Sequence, residues 1–280
     1  MSTVRSKDRT AIAYERAGSG PPLILVDGAL CYRDSGPARK MAAELTDRFT
    51  VFTYDRRGRG ESGDTQPYSV AREVEDLEAL IEAAGGRAQL VGFSSGAVLA
   101  LEAARAGAAI DKIAAYEPPL IVDDSRPPMP PDYVPGLRSD LAAGRPGAAV
   151  KRFMRLVGMP AFLVALFPVL PNWRKLKRVA PTLPYDAMIM GETQSGRPLD
   201  PEHWAAVRVP TVVLVGGKSG KWMANGTRSL AELLPESEYE ELEGQSHMVK
   251  AKALAPTLKR ILASGQTNAS TSTTAKMRGQ

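Results

Sequence analysis

Cysteine is almost absent: the 280-residue chain has one, Cys31. A lone thiol excludes an internal disulfide and the usual cysteine-rich zinc sites, which fits a reducing, cytoplasmic setting. Histidine is nearly as scarce, with only His203 and His247, so chemistry that needs an imidazole has two places to find one. Long hydrophobic runs are missing too. The longest, AFLVALFPVL at 161–170, is too short to span a bilayer and is interrupted by Pro168. The opening MSTVRSKDRT has no apolar centre of the kind a signal peptide carries. The last scarcity is local: between Val215 and Ala231 the chain has no Asp or Glu.

What is present is ordinary for a water-soluble fold. Apolar residues make up 44% and charged residues 24%, without internal repeats. The net charge of +5 is spread over both signs, and the one dense basic run is NWRKLKR at 172–178. Its plain reading is a solvated helix face, with steering of anionic substrates or contact with a membrane surface as the alternatives. A nucleic-acid partner would need a clustered stripe with interleaved aromatics, so salt-dependent binding through this run is expected to be weak. Neither a nucleic-acid nor a membrane partner is expected, while a homodimer stays open.

Strand-like and helix-like segments alternate from about residue 11 to 119 and again from 209 to 264, which predicts an α/β fold with a mostly parallel sheet flanked by helices. The proline-rich RPPMPPDYVPG and the apolar helical pieces after it break the pattern. The predicted organisation is a core of 1–119 and 206–264, an inserted helical cap of 120–205, and a polar disordered tail of 265–280.

The stretch VGFSSGAV at 91–98 carries a Gly-x-Ser-x-Gly pentapeptide centred on Ser94. Alone the pattern is weak, but here it follows an apolar β-branched run and opens an alanine-rich helical pattern, the strand-turn-helix context of a nucleophile elbow. Side chains at 92 and 96 would collide with the neighbouring strand and helix. The following helix N-terminus and the Ser95 N–H favour a developing oxyanion. A helix N-cap is the bland alternative for Ser94, and Ser95 stands off the centre of the motif.

Together with VDGAL at 26–30 and YDRRGRGES at 54–62, this stretch resembles the α/β-hydrolases over nearly the whole chain apart from the tail. The resemblance implies the α/β-hydrolase fold, no metal or organic cofactor, and His247 in EGQSHMVK as the base. His203, at the predicted cap boundary, is the lesser candidate. Most of that superfamily draws its acid from the loop that here has no carboxylate. Two readings follow: a dyad or no catalysis, or an acid from another strand end. Glu117 in AAYEPPL is favoured, because zearalenone-type lactone hydrolases, which this chain resembles in its DG, Ser-Ser-Gly and strand-end Glu, take their acid there. Asp123 and Asp124 are the fallbacks.

By the same resemblance Ala29 supplies the second oxyanion N–H beside Ser95, with Gly28 allowing close backbone approach. Asp27, where relatives have histidine, must be neutralised, either by Arg56 or Arg57 or by loop N–H groups, because like charge opposes an oxyanion. Asp55, Arg56 and Gly58 organise the turn after their strand. Leu30, Tyr32, Trp204 and Trp222 are candidate substrate contacts, with core packing the alternative for the tryptophans, and Cys31 reads as packing. The apolar pieces of the cap point to a hydrophobic acyl or ring system or simply pack the cap.

The expected activity is hydrolysis of a carboxylic ester or lactone through an acyl-enzyme on Ser94. Thioesterase, amidase or C–C hydrolase chemistry, and a non-catalytic ligand-binding relative, are the alternatives.

Overall fold

The computed structural model describes residues 2–263; the tail expected to be disordered, 265–280, lies outside the described residues. The first half runs β1 (Ser2–Arg5), β2 (Ala11–Ala17), β3 (Pro22–Val26), α1 (Ala38–Leu45), β4 (Thr50–Tyr54), α2 (Val70–Ala83), β5 (Ala88–Phe93), α3 (Ser95–Arg105) and β6 (Ile110–Tyr116). Helices α4 (Tyr133–Ala142), α5 (Pro146–Leu156), α6 (Ala161–Leu166), α7 (Trp173–Val179), α8 (Leu183–Met190) and α9 (Pro201–Ala205) follow. Then β7 (Thr211–Gly216), α10 (Lys221–Leu233), β8 (Ser237–Leu242) and α11 (Ala251–Ala263) resume the alternation.

The eight strands form one sheet in the order β1-β2-β4-β3-β5-β6-β7-β8. Only the β1–β2 and β2–β4 pairs are antiparallel, so the expected mostly parallel sheet is borne out. The central strands β5 and β7 are buried at every position, as parallel strands covered on both faces must be; that is why they read as unbroken apolar runs. Strand β1 was not expected, since STVR is short, polar and mostly exposed.

Each face of the sheet has its own core. On one, Leu77, Leu80 and Ile81 of α2 and the small residues of α3 pack against Ile24, Leu90 and Ile113. On the other, Met41 and Leu45 of α1 meet Leu254, Leu258 and Leu262 of α11 over Leu23, Val91 and Leu214. The spacing of three and four in ALAPTLKRIL produces that α11 face. A third cluster, with Leu137, Val150, Phe167, Val179 and Leu183, lies within the helices between β6 and β7 and takes in Leu30 from the loop after β3.

Candidate active site

Three neighbouring parallel strands, β3, β5 and β6, each end in a residue with chemical potential. Asp27 follows β3, Ser94 follows β5 and Glu117 follows β6. Among the described residues, four that are not glycine hold a left-handed φ, and three of them lie at these ends: Leu30 at 59°, Ser94 at 55° and Glu117 at 47°. Such backbone costs on the order of 1–3 kcal/mol per residue and persists only where the surroundings impose it, typically at functional sites.

The turn at Ser94 leaves no room for side chains on its glycines. A Cβ at Gly92 would lie 2.4 Å from Ala97 Cα, and one at Gly96 would lie 2.2 Å from the Val26 carbonyl oxygen. Bare backbone at Gly92 lets α3 start directly against β5, and at Gly96 directly against β3. The Ser94 N–H donates to Tyr116 O at 2.9 Å, tying the turn to the end of β6.

Glu117 is fully buried. Its Oε1 accepts the Gly216 N–H at 2.7 Å and the Ser219 hydroxyl, and its Oε2 meets His247 Nδ1 at 2.8 Å. The loop without acids therefore supplies donors to a carboxylate that comes from β6. His247 itself is 45% exposed on its side chain. Its loop is held by Tyr116 Oη donating to Ser246 O at 2.8 Å and by the Lys218 N–H donating to Gln245 O at 2.8 Å. Among the described residues no hydrogen bond joins Ser94 Oγ to the imidazole. The fallback acids are otherwise placed: Asp123 is engaged by Ser125 and Asn225, and among the described residues neither it nor Asp124 hydrogen-bonds His247. The second histidine, His203, pairs with Glu102 at 2.6 Å on α3, away from Ser94.

The loop after β3 presses on the serine. A Cβ on Gly28 would fall 3.0 Å from Ser94 Cβ and 3.6 Å from its Oγ. Among the described residues the N–H groups of Ala29 and Ser95 meet no acceptor. The Ser95 hydroxyl is engaged, donating to Asp186 Oδ1 at 2.8 Å.

Asp186, on α8, was missed by the sequence reading, and so was its partner Arg59. Arg56 and Arg59 clamp Asp186 at 2.8 and 2.7 Å. The same two guanidiniums hold the loop after β3 by its carbonyls: Arg56 donates to Asp27 O at 3.3 Å, and Arg59 to Gly28 O at 2.7 Å and Cys31 O at 3.2 Å. Burial pushes the Asp186 carboxyl upward, but the Arg59 and Arg56 charges and the hydrogen bonds from Arg59 and Ser95 hold it below its ordinary value. The sequence signal was the three arginines of RRGRG, which demand counter-ions when buried.

Two expectations are corrected. Arg56 and Arg57 do not neutralise the Asp27 carboxyl, because Arg56 is taken by Glu73 and Asp186 and Arg57 by Asp76 and Asp8. Of the two routes expected, an N–H donor is the one present, since Asp27 accepts the Ala38 N–H at 3.2 Å, while its Oδ2 has no partner among the described residues. Burial pushes its pKa up to about 7, against the opposing pull of the Ala38 N–H and of the Arg59 and Arg56 charges. Trp204 is not at the site: it is buried in the core with Val207 and Leu230. Trp222 is half-buried under Arg126, whose guanidinium carbon lies 4.3 Å above the ring centre. Leu30 and Tyr32 pack on the third core cluster. Burial drives the Cys31 thiol up to about 12, with Asp27 adding to the effect, which keeps it an unreactive packing residue. Asp55 does organise its turn, accepting the N–H groups of Arg33 and Glu61 at 2.7 and 3.0 Å.

The model of the "Alpha/beta hydrolase family" matches residues 18–255. The chain belongs to the alpha/beta hydrolase family. It has 47% identity to an alpha/beta hydrolase of Sphaerobacter thermophilus over 93% of this chain and 100% of that one, with a TM-score of 0.86. An enol-lactonase of Burkholderia xenovorans shares the fold at 21% identity and a TM-score of 0.68, covering 94% of this chain and all of that one. An esterase of Thermogutta terrifontis does so at 20% and 0.62, covering 95% of this chain and 99% of that one. The uncharacterized hydrolase YraK of Bacillus subtilis is 35% identical over 95 residues, a segment spanning 32% of this chain and 34% of that protein.

Proposed function

We propose that this hydrolase cleaves carboxylic esters, lactones included, through an acyl-enzyme on Ser94. The observation that carries the reading is the 2.8 Å contact of His247 with a buried Glu117 one strand away from a serine in a strained elbow. With Nδ1 engaged by Glu117, Nε2 is the nitrogen that takes the hydroxyl proton as Ser94 Oγ attacks the carbonyl carbon. The tetrahedral oxyanion lies between the N–H groups of Ala29 and Ser95. Collapse breaks the C–O bond, and His247 returns the proton to the leaving alkoxide. Water, deprotonated by His247, then releases the acid and restores Ser94. The Ser94–His247 hydrogen bond belongs to the substrate complex, where catalytic hydrogen bonds commonly tighten.

The helices between β6 and β7 act as a cap over this site, a reading supported by the Asp186–Ser95 bond, which reaches the residue beside the nucleophile. A preference for lactones is supported by the DG and Ser-Ser-Gly motifs and the strand-end glutamate. A panel of p-nitrophenyl esters and small and macrocyclic lactones tests the reading. Rapid mixing should give a burst, and an intact-mass shift equal to one acyl group should map to Ser94 and vanish in Ser94→Ala. Ligand binding with no burst and no adduct in the wild-type protein would instead identify a non-catalytic member of the family.

A further inference from the structure

Six of the eight large apolar side chains most exposed among the described residues fall between 157 and 170: Val157, Phe162, Leu163, Leu166, Val169 and Leu170. Phe162 is 70% exposed and Val169 80%. Their neighbours Val164 and Phe167 are buried, Phe167 in the third core cluster, so the segment is anchored by these side chains and presents the others. So many exposed apolar side chains within one short segment mark an interaction surface.

The charge around it is of one sign. From 141 to 185 the sequence has eight Lys and Arg residues and no Asp or Glu. Subtracting these eight from the chain's +5 leaves the other residues at net −3, so the positive charge of the protein is concentrated here. Arg145 and Arg152 pair with Asp140. Among the described residues the other six, on α5 and α7, have no carboxylate partner. Trp173, Arg145, Lys151 and Lys177 line a cleft of about 440 Å³ beside this face.

We infer that residues 157–178 are a docking surface for an anionic lipid bilayer, with Phe162, Leu166, Val169 and Leu170 entering the acyl boundary and the flanking cations meeting the headgroup phosphates. Protruding aliphatic residues ringed by cations are the pattern of interfacial binding, and each signal strengthens the other. A second copy of the chain fits less well, because two-fold pairing would set the same cations against each other. Nucleic acid would ask for stacking aromatics, and the exposed set holds one phenylalanine. In the sequence a membrane surface is only the lesser alternative for the basic run at 172–178, because the letters do not show which apolar residues of AFLVALFPVL face outward. The inference is independent of the catalytic reading.

Co-sedimentation with vesicles tests it, using the full chain. Vesicles of phosphatidylglycerol and phosphatidylcholine in equal parts should retain the protein at least tenfold more strongly than phosphatidylcholine alone. Either Phe162→Ser with Leu166→Ser and Val169→Ser, or Arg174→Glu with Lys175→Glu, should lower that retention at least tenfold. All five positions are exposed, and unchanged circular dichroism and unfolding temperature verify the fold. Retention that is absent, indifferent to lipid charge, or unchanged in both variants would overturn the inference. So would a dimer in sedimentation velocity that the apolar variant dissolves.

Discussion

Two buried carboxylates flank Ser94, and they differ in their partners. Glu117, after β6, has three donors converging on it, the Gly216 N–H, the Ser219 hydroxyl and His247 Nδ1. Asp27, after β3, has one N–H and a bare oxygen. Burial is severe at both, so depth does not distinguish them. Donors do: three groups converge on the Glu117 carboxylate, whereas Asp27, with a single N–H, has its pKa pushed up by burial. In the mechanism proposed above the asymmetry is useful, because charge is wanted behind the imidazole and unwanted beside the oxyanion.

Amide replacements break the comparison most sharply. Glu117→Gln should lower kcat by about 10⁴-fold with the fold intact, since the orienting acid is lost; stopped-flow turnover with a p-nitrophenyl ester measures it. Asp186→Ala acts on the side where the loop after β3 is clamped. It leaves Arg56 without one of its carboxylates and Arg59 without any that Asp186 supplied, and it should cost about 3–5 kcal/mol in urea unfolding. Ser219→Ala removes one donor from Glu117 and should reduce kcat roughly tenfold, consistent with a hydrogen bond to a charged group; recovery in Ser219→Thr would tie the loss to the hydroxyl.

The smallest effect belongs to Asp27→Asn. At neutral pH turnover should change only a few-fold. The pH dependence is the diagnostic. The folded-state pKa of Asp27 is raised from 3.8 to about 7, so the protonated form is favoured by folding. That contribution is complete below about pH 4 and is lost as pH rises through 7. Relative to the wild type, Asp27→Asn should therefore gain stability steadily from pH 4 to 8 in urea titrations. It should also lack the decline in kcat/KM that a charged Asp27 causes above pH 7. Parallel curves for the two proteins would show that Asp27 is charged throughout and that its surroundings have been misjudged.

Much of this was legible in the sequence because the signals were local. The buried parallel strands announce themselves as apolar runs, the glycines at 92 and 96 mark where α3 approaches β5 and β3, and the missing acid between 215 and 231 directed attention to Glu117. What escaped needed tertiary knowledge. Asp186 sits in LPYDAMIM, a stretch whose partners are some 90 to 130 residues away in sequence, at Ser95, Arg56 and Arg59. Trp204 was misplaced because the same apolar ring serves a pocket or a core equally well. Ser219 was invisible as a partner until β7 was set beside β6.

The central claim is that a carboxylate from β6 organises the imidazole that activates Ser94. The second-order rate of fluorophosphonate labelling tests it most directly, because it reports serine reactivity without requiring the natural substrate. The account predicts rapid stoichiometric labelling of the wild type, none in Ser94→Ala, and a rate lowered by several orders of magnitude in a folded Glu117→Gln. Labelling of Glu117→Gln at the wild-type rate would contradict it.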